Sequence, residues 1–268
     1  KAHETSPLAN YYKNYDENGR LESKHGRVEF LTTMRYIERY LTTGAKVIEI
    51  GAGTGRYSRA IADMGYEVAA VELFPYNIDI FKANLKPEQK IGITQGNALD
   101  LSAFADNAFD ITLLLGPMYH LYTEDDKYQA MSEALRVTKP GGIVFAAYCM
   151  TDASILQYGF VSGSNMYSLM QPNDFCGLTM PGYKAWSSPE ALFEIVRKED
   201  IDLLMSGFDV TRLHYVATDL FTNHMRQTVD TMDDKTFDMY LQYHFFLCER
   251  ADMVGITHHS LDVFRKGR

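Results

Sequence analysis

From residue 46 to residue 150, short apolar runs alternate with stretches that are apolar on one helical face only. KVIEI (46–50) reads as a buried strand, and a glycine turn leads from it into an amphipathic helix over roughly 55–64. EVAAVE (67–72) reads as a second strand, followed by a helix in PYNIDIFKANL (75–85) with Pro75 in its first turn. KIGITQ (90–95) and FDITLLL (109–115) supply the third and fourth strands. TEDDKYQAMSEALRVT (123–138) predicts a helix capped by Thr123, with first-turn acids matched to the helix dipole. KPGG (139–142) ends it and turns into IVFAAYC, the fifth strand. Strands joined by helix-length crossovers run parallel, so the fold class is α/β.

Beyond residue 150 the rhythm breaks. Residues 151–190 are rich in Ser, Asn, Gly, Pro and aromatics and read as a long irregular insertion. LFEIVR (192–197) has strand character, KEDIDLLMSG (198–207) reads as a short helix ending at Gly207, and FDVTRLHYVA (208–217) alternates like a strand. Residues 219–249 read as two core-packing helices, the second opening at Asp233–Asp234, and HHSLDVFRK (258–266) finishes the sheet. The expected organisation is one structural domain: a helical segment over 1–45, a core over 46–150, and 151–268 completing the sheet with insertions at 151–190 and 219–249.

The 268-residue chain is 46% hydrophobic and 23% charged, enough to bury a large core. A net charge of −9 argues against a broad nucleic-acid footprint, which needs a basic face. The longest apolar run, IVFAAYCM (143–150), is too short to span a bilayer, so no membrane association is expected. The first twenty residues contain no apolar signal region, and a cytoplasmic location is the expectation. Cys149, Cys176 and Cys248 lie far apart without a CxxC pair, which indicates neither disulfides nor a cysteine zinc site. His258 and His259 are expected to point to opposite faces of a strand, so no metal centre is predicted. Monomer and homodimer both remain open.

The chemistry centres on EIGAGTG (49–55). Its glycines permit torsions closed to other residues and let a ligand approach the backbone, while the following helix N-terminus offers free N–H groups. A dinucleotide fingerprint would need a third spaced glycine for helix–strand packing, but that position is Arg56. No tyrosine has a lysine four residues later, so the YxxxK pair of short-chain dehydrogenases is missing too. Glu72, 21 residues after Gly51 at the end of the second strand, suits the two hydroxyls of an adenosyl ribose.

EIGAGTG resembles the first motif of class I S-adenosylmethionine-dependent methyltransferases, and QGNALDL (95–101), LLLGPMYHL (113–121) and RVTKPGGIVF (136–145) fall where that family carries its later motifs. The resemblance implies a Rossmann-like, seven-stranded, mostly parallel sheet with helices on both faces and the last strand antiparallel. It assigns to S-adenosylmethionine, and to the product S-adenosylhomocysteine, Glu49, Gly51, Ala52, Gly53 and Gly55 of the turn, then Glu72 and Leu73. Leu115 and Gly116 are assigned to the methionine part. Asn97 and Ala98, also assigned to the cofactor, stand where the family has an Asp followed by a small residue beside the adenine. YDENGRLESKHGRVEFLTT (15–33) resembles the N-terminal helical lid of some small methyltransferases. Tyr11, Tyr12, Tyr15, Arg20 and Arg27 are its candidates, with Tyr15 and Arg20 assigned to the cofactor.

Methyl transfer needs alignment and exclusion of water, and a base only where the acceptor must lose a proton. His120 is the candidate base and Tyr119 a candidate lining residue of the acceptor site. GPMY lacks the [DN]PP[YF] pattern of amino-methylating DNA enzymes. Aromatic and methionine-rich insertions after the fifth and sixth strands favour a small-molecule acceptor methylated on O or N. A non-catalytic S-adenosylmethionine-binding protein and an NAD-dependent oxidoreductase are the alternatives.

Overall fold

The computed structural model describes residues 6–15, 19–163 and 176–268. Helices α1 (Pro7–Asn14) and α2 (Lys24–Glu38) precede the alternating part of the chain. Ser6 and Ser23 cap them, each hydroxyl accepting from a backbone N–H three residues on. The apolar runs then become β1 (Lys46–Ile50), β2 (Glu67–Glu72), β3 (Ile91–Gln95), β4 (Phe109–Leu114) and β5 (Thr138–Met150). Between them lie α3 (Arg56–Asp63), α4 (Pro75–Ala83) and α5 (Glu124–Val137), the last capped by Thr123 as its sequence predicts.

The main path of the sheet runs β3-β2-β1-β4-β5-β10-β9, where β9 is Val210–Ala217 and β10 is His259–Lys266. Strands β1 to β5 are mutually parallel, and β10 is antiparallel to both neighbours. The path has the expected seven strands, mostly parallel with the last antiparallel. Because β1 pairs with both β2 and β4, the crossovers change direction there, and a crevice opens beyond the C-terminal ends of β1 and β4. The glycine turn and Leu115–Gly116 therefore meet at one place. Side chains alternate across β5: Val144 and Ala146 pack towards Ala130, Met131 and Ala134 of α5, while Ile143 and Phe145 pack towards Tyr36 and Ile37 of α2 and Ile61 of α3. Both faces of the sheet are thus covered.

Three expectations need correction. The fifth strand starts at Thr138 rather than 143, because the Thr138 hydroxyl donates to Ala134 O and the chain enters the sheet directly from α5. Gly141 (φ +77°) takes up the resulting irregularity. The 151–190 insertion is not irregular throughout. It opens with α6 (Thr151–Ser154) and a wider π-type turn at Ile155–Val161, then contains a hairpin of β6 (Cys176–Thr179) and β7 (Lys184–Ser187). The part over 164–175 lies outside the described residues. LFEIVR contributes only β8 (Ile195–Val196), an eighth strand paired with the end of β5.

Further on, α7 (Lys198–Met205) precedes β9, and α8 (Arg226–Asp230) and α9 (Asp234–Leu247) fill the 219–249 segment, with Asp233 capping α9. Met225, Met232 and Met239 recur every seven residues without forming a seam: Met239 is 67% exposed, and α9 buries Phe237, Leu241 and His244 instead.

Candidate active site

The glycine turn is pinned across the sheet by N–H groups of Gly51 and Ala52, which donate to Val71 O at 2.8 and 2.9 Å. Gly51 (φ +73°) has left-handed torsions, and a Cβ there would lie 2.7 Å from the Pro117 ring. Gly53 N–H donates to Glu72 Oε2 (2.8 Å), while Glu72 Oε1 accepts from Phe74 N (3.0 Å) and Asn77 Nδ2 (3.1 Å). Glu72 thereby fixes the turn and still faces a cavity of about 370 Å³. Glu49, Ala52, Leu73, Asn97, Ala98, Leu115 and Gly116 line the same cavity. Glu49 is fully enclosed; burial pushes its carboxyl up to about 7, against hydrogen bonds from the Ser58 N–H and hydroxyl.

A second chamber of about 690 Å³ shares Tyr12, Arg20, Leu21 and Tyr119 with the first as a common wall. Its lining draws on α1, α2, both insertions and the start of β10, and includes Tyr11, Tyr15, Tyr158, Trp186 and Phe193. Tyr11 and Tyr15 stack at 4.9 Å between ring centroids. The structure places Tyr15 on this larger chamber and not on the smaller one. Arg20 reaches both and pairs with Glu29 at 3.0 Å. Arg27 lies on neither; its guanidinium covers the Phe237 ring at 5.4 Å.

Residues 48–146 match the family model described as a methyltransferase domain. The chain is 35% identical over 105 residues to a demethylmenaquinone methyltransferase of Renibacterium salmoninarum, covering 39% of this chain and 41% of that protein. It is 24% identical over 201 residues to a ubiquinone biosynthesis O-methyltransferase of Stutzerimonas stutzeri, covering 73% and 83%. The chain thus spans less than half of the first of these relatives. Among solved structures, a putative methyltransferase from a Haloferax volcanii complex with the Trm112 activator superposes with a TM-score of 0.61 at 15% identity, covering 98% of this chain and 99% of that one. Over residues 48–146 the chain matches a methyltransferase domain, in a fold shared with solved S-adenosylmethionine-dependent methyltransferases.

The cofactor of such a domain is S-adenosylmethionine, and the residues of the smaller cavity fit it. Asn77 Oδ1 is buried beside Glu72 without a hydrogen-bond partner among the described residues, an acceptor suited to a hydroxyl. Gly51 and Gly116 leave room for the ligand where any Cβ would crowd the walls: at Gly116 it would stand 3.3 Å from Gly51 O. Gly55 is the exception among the motif residues. It does not line the cavity, and a Cβ on it would lie 2.1 Å from the Phe81 ring. Its left-handed torsion (φ +80°) starts α3 and lets that helix close on α4.

Tyr119 and His120, on the short helical turn after β4, occupy different positions in the methyltransferase domain. Tyr119 stands on the shared wall, its hydroxyl donating to Leu115 O at 3.0 Å. His120 lines only the smaller cavity. Its Nδ1 is 2.8 Å from Leu192 O, so Nδ1 carries the proton and Nε2 accepts from the Tyr12 hydroxyl, also at 2.8 Å. Burial holds its pKa down at about 4, against the Leu192 carbonyl.

The expectation that His258 and His259 diverge is wrong. Alternation applies within a ladder, and His258 precedes the first residue of β10, where the chain wraps the Asp219 carboxylate. Their Nδ1 atoms are 3.3 Å apart, and His259 Nδ1 is 2.9 Å from Asp219 Oδ2. Burial opposes a charge on His259, yet Glu29, Cys149 and Asp219 raise its pKa well above the ordinary value. Asp219 and Glu29 carry no local sequence signal; both lie on α2 or a loop far along the chain from the histidines they face.

Acid should destabilise the domain as its buried histidines are forced to take up protons. His120 and His244 are both held at about 4 against an ordinary 6.5, mainly by burial. His244 Nε2 donates to Thr32 Oγ1 (2.9 Å), leaving Nδ1 buried without a partner among the described residues. Between about pH 4 and 6.5 the unfolded chain binds more protons, so stability is full above 6.5 and falls with pH. The expected loss is about 3 kcal/mol for each histidine at the acid end. Urea denaturation at pH 7 and 4.5 checks this; His244→Phe should reduce the difference, and an unchanged difference would contradict the assignment.

Proposed function

We propose that this chain transfers the methyl group of S-adenosylmethionine to an O or N atom of a small, partly apolar acceptor held in the larger chamber. The observation that carries this reading is the common wall of Tyr12, Arg20, Leu21 and Tyr119 between an adenosyl-fitting cavity and an aromatic chamber. When bound, the cofactor supplies the electrophilic methyl group on its sulfonium. The chain's own residues position the acceptor and exclude water. Tyr11, Tyr15, Tyr119, Trp186 and Phe193 offer flat apolar surface to a ring or chain, and Arg20 and Arg226 offer positive charge to an acidic substituent. His120 stays neutral through the physiological range and acts through Tyr12, holding that hydroxyl oxygen at the junction. The quinone-pathway names of two relatives support a small-molecule acceptor. The net charge of −9 supports a diffusible substrate over a nucleic acid, consistent with a cytoplasmic enzyme. Among the described residues no helix is long and apolar enough to cross a membrane.

Calorimetric titration with S-adenosylhomocysteine, with NAD as comparison, tests the cofactor. Micromolar binding, about −8 kcal/mol, is expected for the homocysteine product and none for NAD. A preference for NAD would overturn the reading. Phenolic and amine acceptors then test turnover. Product release with one class identifies the acceptor atom, while binding without turnover on either class would favour a non-catalytic cofactor-binding protein.

A further inference from the structure

One corner of the larger chamber sets two imidazoles against a buried carboxylate. Asp219, in the turn after β9, is 3% exposed. Its Oδ1 accepts from Thr257 Oγ1 (2.6 Å), His258 N (2.9 Å) and His259 N (3.2 Å). Its Oδ2 accepts from Asn223 Nδ2 (2.8 Å) and lies 2.9 Å from His259 Nδ1. That same nitrogen is 3.3 Å from His258 Nδ1 and 3.5 Å from Glu29 Oε2. A proton on His259 Nδ1 serves Asp219 Oδ2 and Arg20 serves Glu29 Oε2, which leaves the His258 Nδ1 facing the His259 Nδ1. A divalent cation in place of that proton would take lone pairs from both imidazoles and from the carboxylate together.

The spacing is that of a ligand set. Tetrahedral ligand atoms about 2.1 Å from a metal stand about 3.4 Å apart. Here His259 Nδ1 is 2.9 Å from Asp219 Oδ2 and 3.3 Å from His258 Nδ1, and one ligand atom from each residue lies within 4.8 Å of the other two. Two imidazoles and a carboxylate suit first-row transition ions. Four donors besides the imidazoles, from Thr257 Oγ1, His258 N, His259 N and Asn223 Nδ2, orient Asp219 as metal-binding carboxylates are oriented. All three residues line the chamber, so a remaining coordination position faces its interior.

We propose that Asp219, His258 and His259 bind one divalent ion of the zinc class, and that the ion's open position holds the acceptor by its O or N atom. The second clause rests on the methyltransferase reading; metal binding does not. Glu29, tied to Arg20, adds negative charge beside the site without being a ligand.

The test uses untagged full chain, stripped with a chelator and titrated with Co²⁺ alone, read by visible absorption, then with Zn²⁺ in competition. One equivalent of low-coordinate cobalt bands, displaced by zinc, is expected. His258→Ala should weaken zinc binding roughly 100-fold or more, and Asn223→Ala, which removes one donor to Asp219, about tenfold. S-adenosylhomocysteine binding reports separately on folding and on the cofactor site. Absence of stoichiometric cobalt binding in the natural chain overturns the proposal. So does unchanged affinity in His258→Ala, or in Asn223→Ala should the first variant fail to fold. A chain that binds cobalt but not S-adenosylhomocysteine would keep the metal site and remove the methyltransferase reading.

Discussion

Replacing Glu72 with alanine is expected to weaken S-adenosylhomocysteine binding by roughly 100-fold or more, which corresponds to about 2.8 kcal/mol. Two effects add. A carboxylate that accepts from both hydroxyls of a ribose makes charge-assisted hydrogen bonds worth about 1.5–3 kcal/mol each. In the free protein the same carboxylate also accepts from Gly53 N, Phe74 N and Asn77 Nδ2, so alanine leaves three donors without their partner and loosens the glycine turn. Glu72→Gln should fall between the natural chain and the alanine variant. It keeps one acceptor oxygen but turns an NH₂ group towards a site now occupied by donors. Calorimetry gives the affinities, and thermal melting without ligand shows how much of the loss comes from the turn. Binding by the alanine variant within about threefold of the natural chain, well under 1 kcal/mol, would mean that the ribose does not sit against Glu72.

The strand-helix rhythm from 46 to 150 was legible because each element is bounded locally: Thr123 caps α5, Pro75 opens α4, and glycines mark the turn after β1. Glu72 was legible for a related reason, since consecutive parallel strands place their C-terminal ends side by side. The larger chamber was not. Its contacts join residues remote in sequence, as with Tyr158 and Arg226, 68 positions apart, and Asp219 and His258, 39 apart. No periodicity encodes such pairs. The histidine pair failed for a different reason: the alternation rule was applied one residue beyond the strand to which it belongs. The hairpin β6–β7 is four residues a side and carries little apolar alternation, so its composition reads as loop.

Gly55 separates a packing role from a ligand role in the same motif, and alanine there should cost stability more than affinity. The residue has φ +80°, and its new Cβ would fall 2.1 Å from the ring of Phe81, which is 0% exposed. Phe81 packs with Ala52 and Ala70, and against Leu85, Ile91 and Ile93, so the ring has little room to turn away. The left-handed torsion costs about 1–2 kcal/mol for a residue with a Cβ, and overpacking about 1–3 kcal/mol. Together they predict a loss of about 3–4 kcal/mol and a Tm lower by roughly 10 °C for a chain of this size. Gly44→Ala is the matched control: φ is +76°, but nothing lies within 4 Å of the added carbon. It should lose only the torsional share, a fall of roughly 3–5 °C. Gly55→Ala combined with Phe81→Leu should recover part of the loss, because the two sites touch and their effects do not add. At a temperature where the Gly55→Ala protein remains folded, its affinity for S-adenosylhomocysteine should stay within a few-fold of the natural value, about 1 kcal/mol or less. Equal melting of Gly55→Ala and Gly44→Ala would remove the packing role. A large loss of affinity in a folded Gly55→Ala protein would return this glycine to the cofactor.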